Sequence, residues 1–497
     1  MGGGPTQSNG VPRSIGPMRR SVPHAAVRGM RQIKSGRAKG KGICWPVLLF
    51  LIALVVPWVI AIGPLRLSLY RIVLLVMVLP CLVMWTTRKA GRIRGADIAL
   101  LLFWFWSALS NIVIHGLESS IQTVGIGFVE TIGAYLLARC YIRDADGFHD
   151  AIQMLFGIVL VLMPFAVLEL VTGHNLPREL FAAIMPTNFY PPEQRSGLTR
   201  VLSVFDHPVL FGLCSGSILA LVHLALGYQE SFVRRSFRTL IVGGTALLSL
   251  SAGPTGAVLI QGFLLSWNGL LGGIRNRWTI LTVLLVCLVL LIEIVANRSA
   301  LNIIVSFVLF ETASYWYRTL IWTYGSETVL NHPWFGVGLN DWERPGWMPT
   351  ASIDSFWLYL AIRAGLPAVL LMLLAFLWVY LAVSLKKGLE GRLAEYRTGY
   401  LISMTSFFMV GWTGHFWDTA YVLLLFMMGS GVWMLDVANN DRVVLRTKGI
   451  QVARWEPSVH STGSYRPGSR RALGAATQAP PDSRLTASII SRNDVEE

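Results

Sequence analysis

The sequence predicts an all-α integral membrane protein with about twelve membrane-spanning helices. Of its 497 residues, 54% are hydrophobic and only 14% are charged, whereas soluble domains average about 25% charged residues. The mean hydropathy is +0.55. The apolar residues fall in blocks that approach or exceed the roughly 20 residues needed to cross a bilayer. No stretch outside these blocks is long enough to bury a core of its own.

The predicted spans follow one another with short connections in most places. They are 44–62, 65–85, 96–115, 121–141, 150–172, 208–227, 239–251, 254–272, 278–296, 353–383, 398–413 and 418–435. The pair 239–251 and 254–272 is open to two interpretations, because Ser251-Ala-Gly-Pro254 interrupts it. It forms either two spans or one re-entrant hairpin.

The basic residues alternate from loop to loop. They concentrate in the leader and in loops near 88–94, 139–143, 234–238, 275–277 and 386–397, while the short loops between these contain only Arg66. Since cytoplasmic loops carry an excess of Lys and Arg, the alternation predicts that both termini are cytoplasmic and that the number of spans is even. It also accounts for the net charge of +15, so nucleic acid is not an expected partner.

The two ends of the chain differ in composition from its middle. Residues 1–43 form a basic leader, and 436–497 form a tail rich in Ser, Pro, Ala and Arg. Neither has apolar periodicity, so both are predicted to be disordered, on either side of a polytopic domain at 44–435. The leader lacks a small-residue cleavage pattern, which predicts an uncleaved anchor. The five cysteines show no Cys-x-x-Cys or His-paired spacing, and this predicts neither a disulfide framework nor a metal site.

Two loops predicted to lie outside are long, 173–207 and 297–352. Loops of this length are usually functional or disordered, and the composition of these two favours order. The second contains a predicted helix at 309–330 that is dense in Tyr and Trp. We expect this helix to lie along the membrane surface.

The arginines of these two loops require an explanation, because Lys and Arg are normally concentrated in cytoplasmic loops and are disfavoured on the outer side. One such arginine alone is typically an exposed charge or one half of a salt bridge. Arg200 precedes an apolar run that enters the membrane, and Arg318 lies among aromatic residues with Trp322 on the same helix face. A guanidinium held by aromatic stacking suits bidentate binding of phosphate.

Several other polar residues lie where helices begin or end. Asp206-His207-Pro208 opens a predicted span as a cap followed by a first-turn proline. The segment 331–340 indicates a helix stop and a tight turn whose glycines allow close backbone approach, and His332 in it is expected to be a loop or capping residue. Asp354 is either the cap of its span or a catalytic carboxylate.

Some charges lie inside the predicted spans and are costly in lipid. They must face the bundle interior or a partner. They are Arg71, Glu130, Glu169, Glu293 and Arg363. Glu169 and Glu293 lie near the outer ends of their spans, from where the carboxylate can also reach the membrane surface.

Four segments in this order resemble a known superfamily. They are Arg200-Val-Leu-Ser-Val-Phe-Asp-His-Pro-Val-Leu-Phe-Gly212, Tyr317-Arg318 with Trp322, Asn331-His-Pro-Trp-Phe-Gly-Val-Gly-Leu-Asn340, and Ile353-Asp-Ser-Phe-Trp-Leu. The set resembles the O-antigen ligase and Wzy-type polysaccharide polymerase superfamily, and within it the exopolysaccharide polymerases. The likeness in topology spans 45–435, whereas the specific motifs cover only 195–212 and 315–360.

The resemblance implies a metal-independent and cofactor-free glycosyltransferase of the bacterial inner membrane. Such enzymes transfer a glycan from undecaprenyl diphosphate to a sugar hydroxyl on the periplasmic side. By this likeness Arg200 and Arg318 bind the diphosphate, and Asp354 acts as general base. Ligases of the superfamily often have a His-Asn pair where this chain has Asp354-Ser355, a departure that favours the polymerases. The remaining residues expected to bind substrate are Arg195, His207, Trp322, His332, Gly336, Gly338 and Asn340.

Three alternatives stay open at this point. The first is a ligase, which differs only in using lipid A core as the acceptor. The second is a transporter or flippase, which should concentrate polar groups near the midplane and keep its loops short; here the polar residues concentrate in two outer loops. The third is a non-catalytic member of an assembly complex. A flippase and a chain-length regulator are the protein partners that the polymerase interpretation implies.

Overall fold

The computed structural model describes residues 2–4, 42–63, 65–188, 190–195, 197–295, 312–348 and 350–437. The predicted leader and tail therefore lie almost wholly outside the described residues. The stretch 296–311 of the second long loop lies outside them as well.

Helices dominate the described part of the chain. They are α1 Trp45–Ala53, α2 Leu69–Thr86, α3 Gly95–His115, α4 Leu117–Tyr141, α5 Ala145–Thr172, α6 Leu176–Ala182, α7 Pro208–Leu226, α8 Phe232–Leu247, α9 Ala252–Leu270, α10 Arg277–Val295, α11 Thr312–Asn331, α12 Phe356–Ser384, α13 Arg392–Val410 and α14 Asp418–Ser430. The strands form two antiparallel hairpins, β1 Val59–Ile62 with β2 Leu65–Ser68 and β3 Gln194–Arg195 with β4 Leu198–Thr199.

Eight of these helices are long and apolar enough to cross a membrane. They are α2, α3, α4, α5, α7, α10, α12 and α14, the last of which continues through a short 3-10 helix so that the span is Asp418–Leu435. The predicted all-α membrane architecture is thus confirmed. The other four predicted spans coincide with α1, α8, α9 and α13, which are shorter or less apolar, so the number twelve stays a prediction. The interrupted pair 239–272 forms two separate helices, α8 and α9, which meet at a turn over residues 248–251.

The prediction of one helix over 44–62 is wrong in its second half. Helix α1 ends at Ala53, and the chain continues as the β1–β2 hairpin. Pro57 has no backbone N–H to continue a helix, and Gly63 adopts the positive φ of a tight turn. The Trp58 indole donates to the Phe181 carbonyl at 3.1 Å, which fastens the hairpin to α6.

The loops gather in two groups that match the predicted alternation. In the basic group, Arg139 Nη2 donates to the Arg92 carbonyl at 2.9 Å and Lys386 Nζ to the Leu435 carbonyl at 2.7 Å. In the other group, the Leu339 amide donates to His115 Nε2 at 2.8 Å. Loops predicted to share a side of the membrane therefore contact one another.

Two of the predicted interior charges, Arg71 and Glu130, are paired, as their cost in lipid requires. Arg71 forms salt bridges with Glu130 at 2.7 Å and with Asp418 at 2.8 Å. Glu169 is only 3% exposed, so it does not reach the membrane surface, whereas Glu293 is exposed.

Candidate functional site

A cavity of about 570 Å³ lies where the outer loops come together. Its walls come from the β3–β4 hairpin, the α8–α9 turn, the start of α12 and the α13–α14 loop, with α11 at one side. Four arginines line it, so we call it the arginine cavity; they are Arg195, Arg200, Arg318 and Arg363. Among its described lining residues, Asp354 is the only carboxylate. The cavity is therefore suited to an anion.

The cavity brings together five residues that the sequence singled out for catalysis or binding. They are Arg195, Arg200, His207, Arg318 and Asp354. They come from two loops far apart in the chain. Loop composition and the motif resemblance together therefore pointed to residues that share one cavity.

The β3–β4 hairpin positions two of the arginines. Arg200 follows β4, and its Nη2 donates to Ser251 Oγ at 2.8 Å while its Nη1 pairs with the Glu193 carboxylate. Arg195 Nη1 donates to the Leu250 carbonyl at 2.8 Å. Both guanidinium groups are thus fixed against the α8–α9 turn. Such preorganised donors stabilise charge without a reorganisation cost during reaction.

Glu169 forms hydrogen bonds to the segment between this hairpin and α7. Its carboxylate accepts from the backbone amides of Leu202 at 3.1 Å and Ser203 at 2.9 Å. Arg178 Nη1 donates to the Phe205 carbonyl at 2.9 Å, and its Nη2 pairs with Asp206. Backbone N–H groups inside a membrane protein need such partners. The interior carboxylate therefore fixes the path of the loop that carries Arg200 and His207.

Arg318 on α11 is the least satisfied cation of the site. Its Nε and Nη1 atoms are buried and have no hydrogen-bond partner among the described residues. Burial lowers the pKa of the guanidinium from its ordinary value, Asp354 opposes this shift, and Arg195 adds to it. A buried charge without a partner is strongly destabilising, so an anion at this position would relieve that cost.

The sequence suggests that Trp322 stacks on the Arg318 guanidinium. The two side chains do not stack. Trp322 stacks on Trp412, with ring centroids 5.7 Å apart, and it is not among the described residues that line the cavity. The cation–π contacts of the described residues involve other arginines.

Asp354 is not the cap of its helix. The cap of α12 is Ser355, whose Oγ accepts from the Leu358 amide at 3.4 Å. Within the described part of the chain, the half-buried Asp354 carboxylate makes no hydrogen bond or ion pair. It lines the cavity as a hydrogen-bond acceptor that no other described residue engages.

His207 caps α7 and lines the cavity at the same time. Its Nδ1 accepts from the Val209 amide at 3.1 Å, and Pro208 follows in the first turn, as predicted. The ring packs edge-on against Trp417, with centroids 5.3 Å apart. Burial lowers the pKa of His207, and Arg200 lowers it further. The imidazole is therefore neutral at physiological pH.

The segment 331–340 does not line the arginine cavity. It contacts the part of α12 that carries Arg363, a residue of the cavity wall. Helix α12 breaks at Gly365, which has a φ of 80°. Around this break, the Val337 amide donates to the Ile362 carbonyl at 2.8 Å, and the Gly338 amide donates to the Arg363 carbonyl at 3.0 Å. Arg363 Nη1 in turn donates to the Asn340 carbonyl at 2.6 Å. The motif therefore positions Arg363.

Two further predictions concern this motif. A Cβ on Gly336 would collide with the Ile362 carbonyl, so the predicted close backbone approach is confirmed. His332 lies in the loop, where its Nε2 is 3.0 Å from a carboxylate oxygen of Glu343. His332, Gly336, Gly338 and Asn340 do not appear among the described residues lining the cavity.

Sequence reasoning did not assign a site role to several of the other lining residues, and four of them have polar side-chain atoms or aromatic rings that face the chemistry of the site. They are Ser251, Tyr359, His415 and Trp417. Burial lowers the pKa of His415 to about 3, with a further contribution from Arg363, and its Nδ1 has no hydrogen-bond partner among the described residues. No motif could have revealed His415, because it lies in a short loop between two spans. In the sequence, Arg363 stands out only as a charge inside a predicted span, where it is costly in lipid.

The chain matches no family model, and no curated protein sequence is significantly similar to it. The chemistry of the site is therefore argued from its residues.

Proposed function

We propose that the chain polymerises undecaprenyl-diphosphate-linked oligosaccharide repeats into an exopolysaccharide or O-antigen chain. The observation that carries the proposal is Arg318, two of whose donor atoms are buried and have no partner among the described residues, in the same cavity as Asp354, whose carboxylate no described residue engages. A diphosphate supplies the oxygen acceptors and negative charge that this guanidinium lacks. The resemblance of the motifs to the O-antigen ligase and polysaccharide polymerase superfamily supports the same chemistry.

In the proposed reaction, a hydroxyl oxygen of the acceptor glycan attacks the anomeric carbon of the donor. The bond between that carbon and the diphosphate oxygen breaks, and its electron pair leaves with the diphosphate. Arg200 and Arg318 stabilise the developing phosphate charge. Asp354 takes the proton of the attacking hydroxyl as general base. The arginines supply the charge neutralisation, so we expect transfer without a metal.

The proposal includes a location and an orientation. The loops around the arginine cavity are those that the Lys and Arg distribution assigns to the outside. We therefore propose a protein of the bacterial inner membrane with cytoplasmic termini, twelve spans and a periplasmic site. A flippase and a chain-length regulator are the proposed partners.

The transporter alternative has less support from the polar groups inside the bundle. Arg71 lies in the first turn of α2, and Asp418 is the first residue of α14. Two of the three charges in their cluster with Glu130 thus lie at predicted outer helix ends rather than at the midplane, where transporters place their sites.

The test uses the purified chain in nanodiscs, with the lipid-linked repeat isolated from cells that lack the chain. We expect a ladder of polymers and released carrier diphosphate, and the same rate with a chelator present. Transfer only when lipid A core is added would identify a ligase. Movement of the lipid-linked repeat across the bilayer without turnover would identify a transporter.

A further inference from the structure

A second cavity, of about 300 Å³, adjoins the arginine cavity. The two share a wall of four residues, Tyr359, Arg363, His415 and Trp417. The other walls of the second cavity come from α3, α4 and the starts of α12 and α14. We call it the aromatic cavity, because aromatic rings from α3, α12, α14 and the α13–α14 loop line it. Its volume is at the lower end of the roughly 300–1,000 Å³ typical of small-molecule sites.

Four buried polar atoms on this cavity have no hydrogen-bond partner among the described residues. They are Ser107 Oγ, Asn111 Oδ1, Arg363 Nε and His415 Nδ1, and all four residues line the cavity. Buried polar groups without partners are rare in native structures, and a group of them needs an explanation. A ligand with several hydroxyl groups would satisfy a mixture of donors and acceptors of this kind.

The carboxylates of the cavity are already engaged. Glu130 accepts from Tyr70 at 3.1 Å and from Arg71 at 2.7 Å, and Asp418 accepts from Arg71 at 2.8 Å. The atoms left to meet a ligand are mostly neutral. The aromatic cavity therefore differs from the arginine cavity, where cationic donors dominate.

Part of the wall is built by an irregular turn of α4. Residues Val129–Gly133 form a π-helical turn, a feature that is rare and frequently found at functional sites. Thr131 and Tyr421 hydrogen-bond across the cavity wall at 2.7 Å. Trp104 Nε1 donates to the Val124 carbonyl at 3.1 Å. These bonds fix the orientation of the aromatic side chains.

We propose that the aromatic cavity binds a neutral sugar ring of the acceptor glycan. A pyranose has an apolar C–H face, which packs on aromatic rings, and a rim of hydroxyls, which Ser107, Asn111 and His415 can engage. The sugar that carries the attacking hydroxyl then lies at the shared wall, beside the donor diphosphate. This assignment rests on the proposed function and adds to it a location for the acceptor.

Kinetics test the assignment first. The acceptor is the carrier-free oligosaccharide released from the lipid-linked repeat, titrated at a fixed donor concentration. Asn111→Ala and Ser107→Ala should each raise the acceptor KM roughly 3- to 10-fold, the effect of one lost hydrogen bond, and leave the donor KM unchanged. Gln122→Ala and Ser119→Ala are the matched controls, since both residues are exposed on α4 and lie off the cavity. An unchanged acceptor KM, or an equal rise in the donor KM, overturns the assignment.

Chemical protection tests it without turnover. The exposed Cys44 and Cys287 are replaced by Ser, and Ser107→Cys is labelled with a maleimide. The carrier-free oligosaccharide should slow labelling, and inorganic pyrophosphate should not. Thr123→Cys, also on the cavity, serves if Ser107→Cys does not fold. Absence of protection at a folded, labelled site overturns the proposal. Protection without any transfer activity would instead keep the sugar site and reject the proposed polymerase function.

Discussion

The carbonyl oxygen of Trp334 occupies the space that a Cβ on Gly365 would need. This contact joins the loop after α11 to the break in α12, which lies two residues after Arg363. Gly365 also has a positive φ, which side chains other than glycine rarely adopt. A single glycine thus determines how the motif at 331–340 meets the cavity.

Gly365→Ala should therefore lower both the thermal stability and the transfer rate, since strain and collision act together. Gly262→Ala is the control, because nothing lies near its Cβ position and its φ is ordinary. Thermal unfolding in detergent and transfer assays measure the two effects. Wild-type behaviour of Gly365→Ala would contradict the positioning role of the motif.

Replacing Arg200 or Arg318 by Lys keeps the charge but removes the planar fork. Each variant should lose roughly 10²–10³ in transfer rate, as when one charge-stabilising donor is lost. Arg344→Lys is the control, because Arg344 belongs to the same predicted outer loop as Arg318 but pairs with Asp341 outside the cavity. Near-normal rates in both variants would reject the diphosphate clamp, and loss of wild-type activity with a chelator would contradict metal-free transfer.

Asp354 and Ser355 are neighbours with separable roles. Asp354→Asn should abolish transfer and leave stability unchanged, since it removes the base and no structural bond. Ser355→Ala should leave the transfer rate unchanged and lower the free energy of unfolding by about 1 kcal/mol, because the helix cap is lost. Parallel measurements of rate and unfolding temperature decide this. Full activity in Asp354→Asn would remove the residue from the mechanism.

The buried His415 makes stability depend on pH. Its pKa is about 3 in the folded protein, against an ordinary value of 6.5, so below pH 6.5 the unfolded chain binds more protons. Stability should therefore fall as the pH decreases from 6.5 towards 3. Thermal unfolding between pH 7.5 and 4.5 should show a smaller fall for His415→Gln than for wild type. Equal slopes would mean that the histidine is hydrated in the membrane protein.

Orientation is testable by reporter fusions. Fusions at Thr187 and Gly346 should report a periplasmic location, and one at Gly391 a cytoplasmic location, because the Lys and Arg bias alternates along the chain. The reverse pattern would move the arginine cavity to the cytoplasmic face and would contradict the proposed reaction.

The sequence predicted the parts of this molecule that composition and charge determine. Apolar length found the spanning helices, and the cost of outer arginines pointed to Arg200 and Arg318 before any contact was known. It failed at 44–62, where Pro57 and the turn at Gly63 outweigh apolar composition. The positive φ values of Gly336 and Gly338 and the bonds of their segment to α12 are tertiary properties, which the sequence could indicate only as a tight turn. His415 gave no signal, since a single loop histidine has no periodicity.

Arg195 and Arg200 are both anchored to residues 250 and 251, whereas Arg318 and Asp354 belong to α11 and the start of α12. The cavity therefore has two halves. One is anchored to the α8–α9 turn, the other is carried by α11 and the start of α12, and each half contributes charged side chains. The distance between the halves sets how well one anion can touch both.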